Sequence, residues 1–297
     1  MVNFGKRDDA PPAAAGGAPL GATVGQGGPA DPSAPLLQLR GVGKRFGPVH
    51  ALIDVDLDVP AGQVTALVGD NGAGKTTLIK CVAGIWEPSG GAILWNGRPV
   101  QIRSPKDASA LGIATVYQDL ALCDNLDIVQ NMMLGHERLS LGLLDEISME
   151  KTAKQTLSDL AVTTVRSVRQ TVGSLSGGQR QSVAVAKAVM LEARLVIMDE
   201  PTAALGVSQT ELVLSLISTL ASRGHAVIVI SHNLNDIFRV ADRIAVLYLG
   251  RLVAQGAASE FDRQSVVDIM TTGASARLGN GSGGEPAIAR GTTGLED

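Results

Sequence analysis

The hydrophobic positions along the chain fall into short runs of two kinds. Apolar and polar residues alternate at 36–40 and, more strictly, over 53–59 (IDVDLDV), which predicts strands buried on one face only. Four later runs are almost wholly apolar and lie at 63–69, 113–117, 194–199 and 226–231. Such runs are typical of parallel strands that are buried on both faces. Residues 243–256 predict a hairpin that turns at 249–251.

Helical patterns separate most of the apolar runs, so the chain reads as a series of βαβ units in a three-layer α/β body. Residues 119–190 differ, because their pattern is mainly helical and contains no comparable strand run. The predicted fold class is therefore α/β, with an antiparallel β subdomain near the N-terminus and an α-helical subdomain inserted into the core.

Composition divides the chain into a folded body and two tails. Residues 1–34 are dominated by Ala, Gly and Pro, and 273–297 have a similar character. Segments of this kind cannot bury enough apolar surface to offset the entropy lost on ordering. We predict a folded body at 35–272 between two disordered tails.

Charge and aromatic content argue against a nucleic-acid-binding protein. The formal net charge is −4, Lys and Arg are scattered, and aromatic residues make up only 3% of the chain. A nucleic-acid partner is disfavoured, because neither a dense basic stripe nor an aromatic stacking platform is evident.

Neither a membrane span nor a secretory signal is predicted. No apolar run approaches the roughly 20 residues that a spanning helix needs, and the N-terminal segment lacks a long apolar core. Cys81 and Cys123 lie far apart without metal-ligand spacing, so we expect two reduced thiols.

The segment between the first buried strand and the following helix carries the most specific motif. It fits the G-x-x-x-x-G-K-[ST] phosphate-loop pattern and comprises Gly69, Asp70, Asn71, Gly72, Ala73, Gly74, Lys75, Thr76 and Thr77. The glycines let several N–H groups face one point at a helix N-terminus, which favours an anion. Lys75 can reach the β- and γ-phosphates of a nucleotide, and the Thr76 hydroxyl can ligate Mg²⁺. A glycine-rich turn that matches by chance is the alternative.

An acidic strand end supplies the other groups that such a loop needs. Asp199 and Glu200 follow the apolar run at 194–198. Asp199 is the candidate to hold the metal ion, and Glu200 is the candidate general base that orients water toward the γ-phosphate. Two acids alone would also fit an ordinary solvated strand end.

A second glycine-containing turn, which begins with a serine and is called the serine–glycine turn, precedes a later helical stretch. It comprises Ser176, Gly177, Gly178 and Gln179, and its N–H groups would face an anion at a helix N-terminus. An ordinary serine-capped helix is the alternative. One phosphate could use both turns only if they faced each other, which two chains arranged head to tail would allow.

The order of these motifs resembles the nucleotide-binding subunit of ATP-binding cassette (ABC) transporters over about residues 36–256. The resemblance implies a P-loop NTPase core of the RecA-like type. It makes residues 69–77 the Walker A loop, 175–179 the signature sequence, and Asp199 with Glu200 the Walker B pair.

Three further residues receive roles from the resemblance. It implies that Gln118, the Q-loop glutamine, contacts the Mg²⁺ ion and takes part in catalysis, and that His232 is the catalytic switch histidine. It implies that Phe46 stacks on adenine. Each also has a structural reading: Gln118 could cap a turn, His232 could be satisfied structurally, and Phe46 could belong to the core. Gly206 departs from the family pattern, which commonly has an aspartate there.

Several segments, among them GDNGAGKTTLIK and DEPTAALGVSQ, are similar to the ATP-binding subunits of bacterial monosaccharide importers, particularly single-cassette versions of the fructose or ribose type. The resemblance implies ATP and Mg²⁺ as cofactors and a homodimer with two ATP molecules clamped between its subunits. It also implies membrane permease subunits, a periplasmic sugar-binding protein as an indirect partner, and a position on the cytoplasmic face of the inner membrane.

Two other functions remain open at this stage. One is the ATPase of an exporter, which shares the same motifs. The other is a soluble ATP-driven clamp on nucleic acid or ribosomes, which long heptad insertions or zinc-spaced cysteines would favour; neither appears. The apolar segment at 120–126 could receive a permease helix or could simply pack in the core.

Overall fold

The structure is a computed structural model that describes residues 35–140 and 142–274. The predicted N-terminal tail, 1–34, lies outside the described residues, as does the predicted C-terminal tail beyond residue 274. Within the described ranges the chain forms a four-stranded sheet, a six-stranded sheet and a small hairpin, with helices packed around them.

The alternating segments near the N-terminus form the smaller, antiparallel sheet. Its strands are β1 Leu37–Phe46, β2 Val49–Val59, β4 Gly90–Trp95 and β5 Arg98–Val100, in the order β2-β1-β4-β5. In β1, Leu37 and Leu39 are fully buried, whereas Gln38 and Arg40 are partly exposed. This alternation confirms the predicted antiparallel β subdomain with one buried face.

The wholly apolar runs form the central sheet. Its strands are β3 Val64–Val68, β6 Ile113–Val116, β9 Leu195–Asp199, β10 Ala226–Ile230, β11 Arg243–Tyr248 and β12 Arg251–Ala257. The sheet order is β12-β11-β3-β10-β9-β6, and only the β11–β12 pair is antiparallel. The predicted α/β fold class is confirmed, and the predicted hairpin joins β11 to β12.

Helices cover the sheet on both sides. They are α1 Lys75–Val82, α2 Pro105–Ala110, α3 Ile128–Met133, α4 Glu146–Asp159, α5 Gly177–Met190, α6 Val207–Ser222, α7 Leu234–Val240 and α8 Arg263–Thr272. Alternate residues of β9 enter two different cores: Val196 and Met198 join α5 and α6, whereas Leu195 and Ile197 join α1 and the smaller sheet. Burial on both faces explains the unbroken apolar run.

The segment between β6 and β9 contains α3, α4 and α5, in agreement with the predicted helical insertion. It also contains a feature that the sequence pattern did not reveal, a short hairpin of β7 Leu139–Ser140 and β8 Leu143–Leu144. Strands of two residues are too short to produce an alternating pattern.

None of the helices in residues 35–140 and 142–274 has both the length and the apolar character required to cross a membrane.

Candidate nucleotide-binding site

The phosphate loop connects β3 to α1 at the carboxyl end of the central sheet. Gly69, Gly72 and Gly74 all have positive φ, with values of 156°, 83° and 106°. A Cβ atom on Gly74 would lie 2.9 Å from the Ala51 carbonyl oxygen, and one on Gly69 would collide with the Leu247 carbonyl oxygen. Only glycine satisfies both the backbone conformation and the space at Gly69 and Gly74.

The N-terminus of α1 faces the loop without a side-chain cap, because Gly74 occupies the N-cap position. The first N–H groups of a helix have no partner within the helix, and they carry its positive dipole end. The loop and the helix therefore form a cradle suited to phosphate oxygens.

Lys75 lies across this cradle. Its Nζ donates to the Gly69 carbonyl at 2.6 Å and to the Asp70 carbonyl at 3.0 Å. Burial lowers the pKa of Lys75, while the negative charges of Glu200, Asp70 and Asp199 act in the opposite direction. The side chain is thus held beside the loop by neutral carbonyl groups and near several carboxylates.

The two predicted acids end β9 in different backbone conformations. Asp199 is the last residue of the strand, and burial followed by the adjacent Glu200 charge raises its pKa. Glu200 has φ of 51°, in the left-handed region, and its N–H donates to the Ile230 carbonyl at 2.9 Å. A left-handed non-glycine residue is strained, and such strain concentrates at functional sites.

His232 follows β10 and contacts Glu200 directly. Its Nδ1 lies 2.9 Å from the Glu200 Oε1 atom. An ionised carboxylate can only accept, so a hydrogen bond in this contact requires the hydrogen on Nδ1. The His232 side chain is 73% exposed, whereas that of Glu200 is 20% exposed. The pair therefore has one member in the site and one at its open edge.

A single cleft of about 570 Å³ brings together residues from six separate segments of the chain. Its lining includes Asn71, Gly72, Ala73, Gly74, Lys75, Thr76, Thr77, Gln118, Asp199 and Glu200. Gln118, which follows β6, thus lies beside the phosphate loop despite being more than 40 residues from it. Residues of β2, Ile230 of β10 and the β11–β12 turn complete the lining. Sequence reasoning did not identify them because no motif marks them.

The serine–glycine turn does not contribute to the lining of that cleft in the described part of the chain. Ser176 caps α5: its N–H donates to Gln179 Oε1 at 2.9 Å, and its hydroxyl accepts from the Gln179 N–H at 3.4 Å. The Gln179 amide also donates to the Thr164 carbonyl at 2.6 Å. The local geometry is that of a capping box at a helix N-terminus. Ser176, Gly177 and Gln179 are half-buried, and Gly178 is buried.

The two glycines of this turn have a packing role that the sequence did not reveal. A Cβ atom on Gly177 would lie 2.7 Å from a Leu205 methyl carbon, and one on Gly178 would lie 3.3 Å from the Gln209 Cα atom. Glycine here permits close approach of α5 to the start of α6. No sequence signal distinguishes this requirement from phosphate binding.

Phe46 lies at the end of β1 and packs against Trp86. The ring centroids are 4.9 Å apart at an interplanar angle of 74°, and the Lys44 Nζ is 5.2 Å from the Phe46 centroid. Phe46 is 41% exposed and is not part of the cleft lining in the described residues. The ring therefore combines a packed edge with an accessible surface.

Asn131 is a further polar residue that sequence reasoning missed. It is 1% exposed, and its side chain bonds both the N–H and the carbonyl of Cys123, at 2.7 and 3.0 Å. It also donates to the carbonyls of Leu126 and Asp127. Asn131 thus fixes the turn that follows Gln118. The segment that leads to the serine–glycine turn packs against it, and the Val172 N–H donates to the Leu126 carbonyl.

The fold and the site together define the class of protein. A parallel sheet with a glycine-rich phosphate loop, a following lysine and threonine, and carboxylates at a neighbouring strand end is the arrangement of P-loop nucleoside triphosphatases.

Comparison with known proteins identifies the family within that class. The sequence profile of the ABC transporter family matches residues 52–203. The chain is 45% identical to the fructose import ATP-binding protein FrcA of Rhizobium meliloti, over 80% of this chain and 94% of that protein. It is 42% identical to the xylose/arabinose import ATP-binding protein XylG of Sulfolobus acidocaldarius, again over 80% and 94%.

Solved structures of ATP-binding cassettes share the fold of this chain. The cbiO1 protein of Clostridium perfringens, part of an ABC transporter complex, is 25% identical with a TM-score of 0.68, over 81% of this chain and 97% of that one. The ADP conformation of another ATP-binding cassette shares the fold with a TM-score of 0.67 at 22% identity. The chain belongs to the ABC transporter family, and its activity is the binding and hydrolysis of ATP.

Proposed function

We propose that this chain is the ATP-hydrolysing subunit of an importer that takes up a monosaccharide. The proposal rests chiefly on the convergence of the loop at 71–77, Gln118, Asp199 and Glu200 in one cleft. The identity to sugar-import ATP-binding proteins over 94% of their length supports the transported class.

The residues of the cleft divide the chemistry between them. Lys75 and the N–H groups of the loop bind the phosphates of ATP, because they present positive charge and donors to one point. Glu200 orients the attacking water and accepts its proton, and the contact at 2.9 Å with His232 holds the carboxylate in place. Rapid hydrolysis depends on this positioning more than on new covalent chemistry.

Thr76, Gln118 and Asp199 would hold a Mg²⁺ ion. Their oxygen atoms are the ligands that this cation prefers, and all three residues line the cleft. The raised pKa of Asp199 fits the assignment, because burial beside Glu200 disfavours the carboxylate until a cation is near. When bound, Mg²⁺ neutralises charge on the β- and γ-phosphates.

A second copy of the chain would complete each site. Residues 176–179 lie outside the cleft of their own chain. They form the N-terminus of α5, and a helix N-terminus is suited to an anion. In a head-to-tail dimer the turn of one protomer would face the phosphate loop of the other. Phe46 would present the exposed part of its ring to the adenine.

Permease subunits would complete the transporter, with this chain at the cytoplasmic face of the membrane and a periplasmic sugar-binding protein as an indirect partner. The segment after Gln118 is the proposed contact with a permease helix. Leu120 and Leu122 are only partly buried and Ala121 is exposed, so the segment combines core packing with an accessible surface.

Deletion of the gene, followed by uptake assays with labelled monosaccharides, tests this function. Uptake of one sugar should fail and should return with the wild-type gene. It should not return with Glu200→Gln, which we expect to bind ATP but to hydrolyse it on the order of 10² times more slowly. Glu87→Gln, an exposed carboxylate outside the cleft, is the matched control. Undiminished uptake of every monosaccharide in the deletion strain would contradict the proposal.

A further inference from the structure

A buried carboxylate lies next to the catalytic cleft and has no part in the chemistry described so far. Asp236, in α7, is 8% exposed. Its Oδ2 atom accepts from the Thr202 hydroxyl at 2.8 Å and from the Asn233 amide at 3.0 Å. A buried acid with two good donors is a fixed junction rather than a mobile surface group.

The two donors belong to the two segments that carry the catalytic pair. Thr202 is two residues after Glu200, in the turn that leaves β9, and Asn233 is the residue after His232. One carboxylate oxygen of Asp236 therefore joins the segment of the base to the segment of its histidine partner. This junction is separate from the direct contact between the Glu200 and His232 side chains.

The catalytic pair needs such support. Glu200 has a left-handed backbone, with φ of 51°, and a residue in this conformation persists only when its surroundings hold it there. The His232 side chain is 73% exposed, so packing contributes little to its orientation. The β9–β10 pairing and the Glu200 N–H bond to the Ile230 carbonyl hold the two strand ends together. The Asp236 junction adds a link beyond the strands, between the two turns that carry the pair.

We propose that Asp236, through Thr202 and Asn233, is a positioning residue that sets the geometry of the Glu200–His232 pair for ATP hydrolysis. The inference rests on the proposed roles of Glu200 and His232. It adds that the hydroxyl of Thr202 and the carboxylate of Asp236 raise the hydrolytic rate without touching the nucleotide.

A second link between α6 and α7 provides a natural control. Arg239 of α7 pairs with Glu211 of α6, with two contacts of 2.7 and 2.5 Å, and both side chains are about half exposed. This outer pair docks the same helix but does not involve the turns that carry Glu200 and His232. Its loss should therefore leave catalysis nearly unchanged.

The experiment compares steady-state ATP hydrolysis by the full wild-type chain and by single-residue variants of it. Thr202→Val keeps the shape of the side chain and removes the donor; Thr202→Ser keeps the donor. We expect kcat of Thr202→Val to fall on the order of ten- to a hundredfold with KM for ATP nearly unchanged, since small misplacement of a catalytic group has effects of this size. Thr202→Ser should recover most of the rate.

Two control variants distinguish a role in positioning the Glu200–His232 pair from a general loss of stability around α6. Glu211→Gln weakens the outer pair, and Thr219→Val removes a hydroxyl of α6 that bonds only within its own helix, to the Ser215 carbonyl at 2.9 Å. Both should keep kcat within about twofold of wild type. Equal losses in these controls would overturn the proposal, as would a Thr202→Val enzyme with wild-type kcat.

Asp236→Asn provides a second variant should Thr202→Val prove unstable. The amide keeps the size of the side chain and one acceptor oxygen for both donors, but it loses the charge that strengthens these hydrogen bonds. It should therefore lower kcat more than KM, by a smaller factor than Thr202→Val. Glu200→Gln is assayed alongside: turnover that survives this change contradicts the proposed function itself. A slow Glu200→Gln enzyme beside fully active Thr202→Val and Asp236→Asn enzymes overturns only the positioning role.

Discussion

At the scale of single residues, the site combines charged groups that the protein holds in unfavourable surroundings. Lys75 is partly desolvated, and burial raises the pKa of Asp199 beside Glu200. The free-energy cost of burying these charged groups is tolerable because a bound nucleotide and cation would offset it. Lys75 and Asp199 each provide a test of these surroundings.

The first concerns Lys75. Lys75→Ala removes a positive charge that sits at the phosphate loop, where its Nζ lies 2.6 Å from the Gly69 carbonyl. Hydrogen bonds to charged groups contribute about 1.5–3 kcal/mol, so ATP affinity should fall at least about tenfold. Isothermal titration with ATP measures the change, and Lys151→Ala, an exposed lysine of α4, is the control. Near-normal affinity of the Lys75 variant would exclude the assigned role.

The second concerns Asp199 and pH. Its pKa in the folded chain lies above the ordinary value, so the folded state binds a proton more readily than the unfolded state. Stability from this group is therefore present at low pH and is lost as pH rises through the raised pKa. At neutral pH and without nucleotide, Asp199→Asn should raise Tm by a few degrees and abolish rapid hydrolysis.

Thermal unfolding across pH checks this expectation. The advantage of Asp199→Asn should shrink as the pH falls and the wild-type carboxyl becomes protonated. A lower Tm for the variant at neutral pH would show that the carboxylate stabilises the empty site instead of straining it.

At the scale of elements, helix ends determine where the functional turns lie. Ser176 and Gln179 form a capping box at the start of α5, whereas the N-cap residue of α6, Gly206, has no side chain to cap the helix. Gly206 is also where the family commonly has an aspartate. Its φ of −72° and ψ of 163° suit any residue, and a Cβ atom there would meet nothing within 4 Å.

Gly206→Asp should accordingly stabilise the protein. An aspartate at this position can cap the first turn of α6 and interacts favourably with the helix dipole, for a gain of about 0.5–1 kcal/mol. Urea unfolding measures the difference. Gly206→Ala, which adds a Cβ atom without a cap, should show no such gain. A destabilised Gly206→Asp chain would mean that the turn before α6 cannot accept a side chain.

At the scale of the whole molecule, each ATP site is proposed to combine the phosphate loop of one protomer with the serine–glycine turn of the other. Residues 176–179 and Lys75 stand on separate elements of one chain, and the cleft around Lys75 does not include the turn within the described residues. Head-to-tail pairing would give each dimer two equivalent sites.

Mixing two inactive variants tests this arrangement. Lys75→Ala damages the loop, and Ser176→Arg damages the turn, so each variant alone should lose ATP hydrolysis. A mixed dimer pairs the intact loop of one with the intact turn of the other. Random pairing makes half of the dimers mixed with one intact site of two, so an equal mixture should recover up to roughly a quarter of wild-type activity. No recovery in exchanging dimers would count against sites shared between protomers.

Local patterns in the sequence were enough to predict the fold class and most of the residues that line the cleft. Buried parallel strands produce unbroken apolar runs, and the loop from Gly69 to Thr77 needs glycines and a lysine in a fixed local order. Both signals depend on neighbours in the chain, so they can be read without knowing the fold. The short hairpin of β7 and β8 left no such signal, because its strands are only two residues long.

The three-dimensional arrangement alone shows which distant residues meet. It placed Gln118 beside the phosphate loop, packed Gly178 against α6, and joined Thr202 to Asp236 across 34 residues of sequence. A hydroxyl and a carboxylate of these types are common in any chain, and their spacing carries no periodicity. Their significance arises from the order of the strands in the sheet, which brings the turns after β9 and β10 together at one edge.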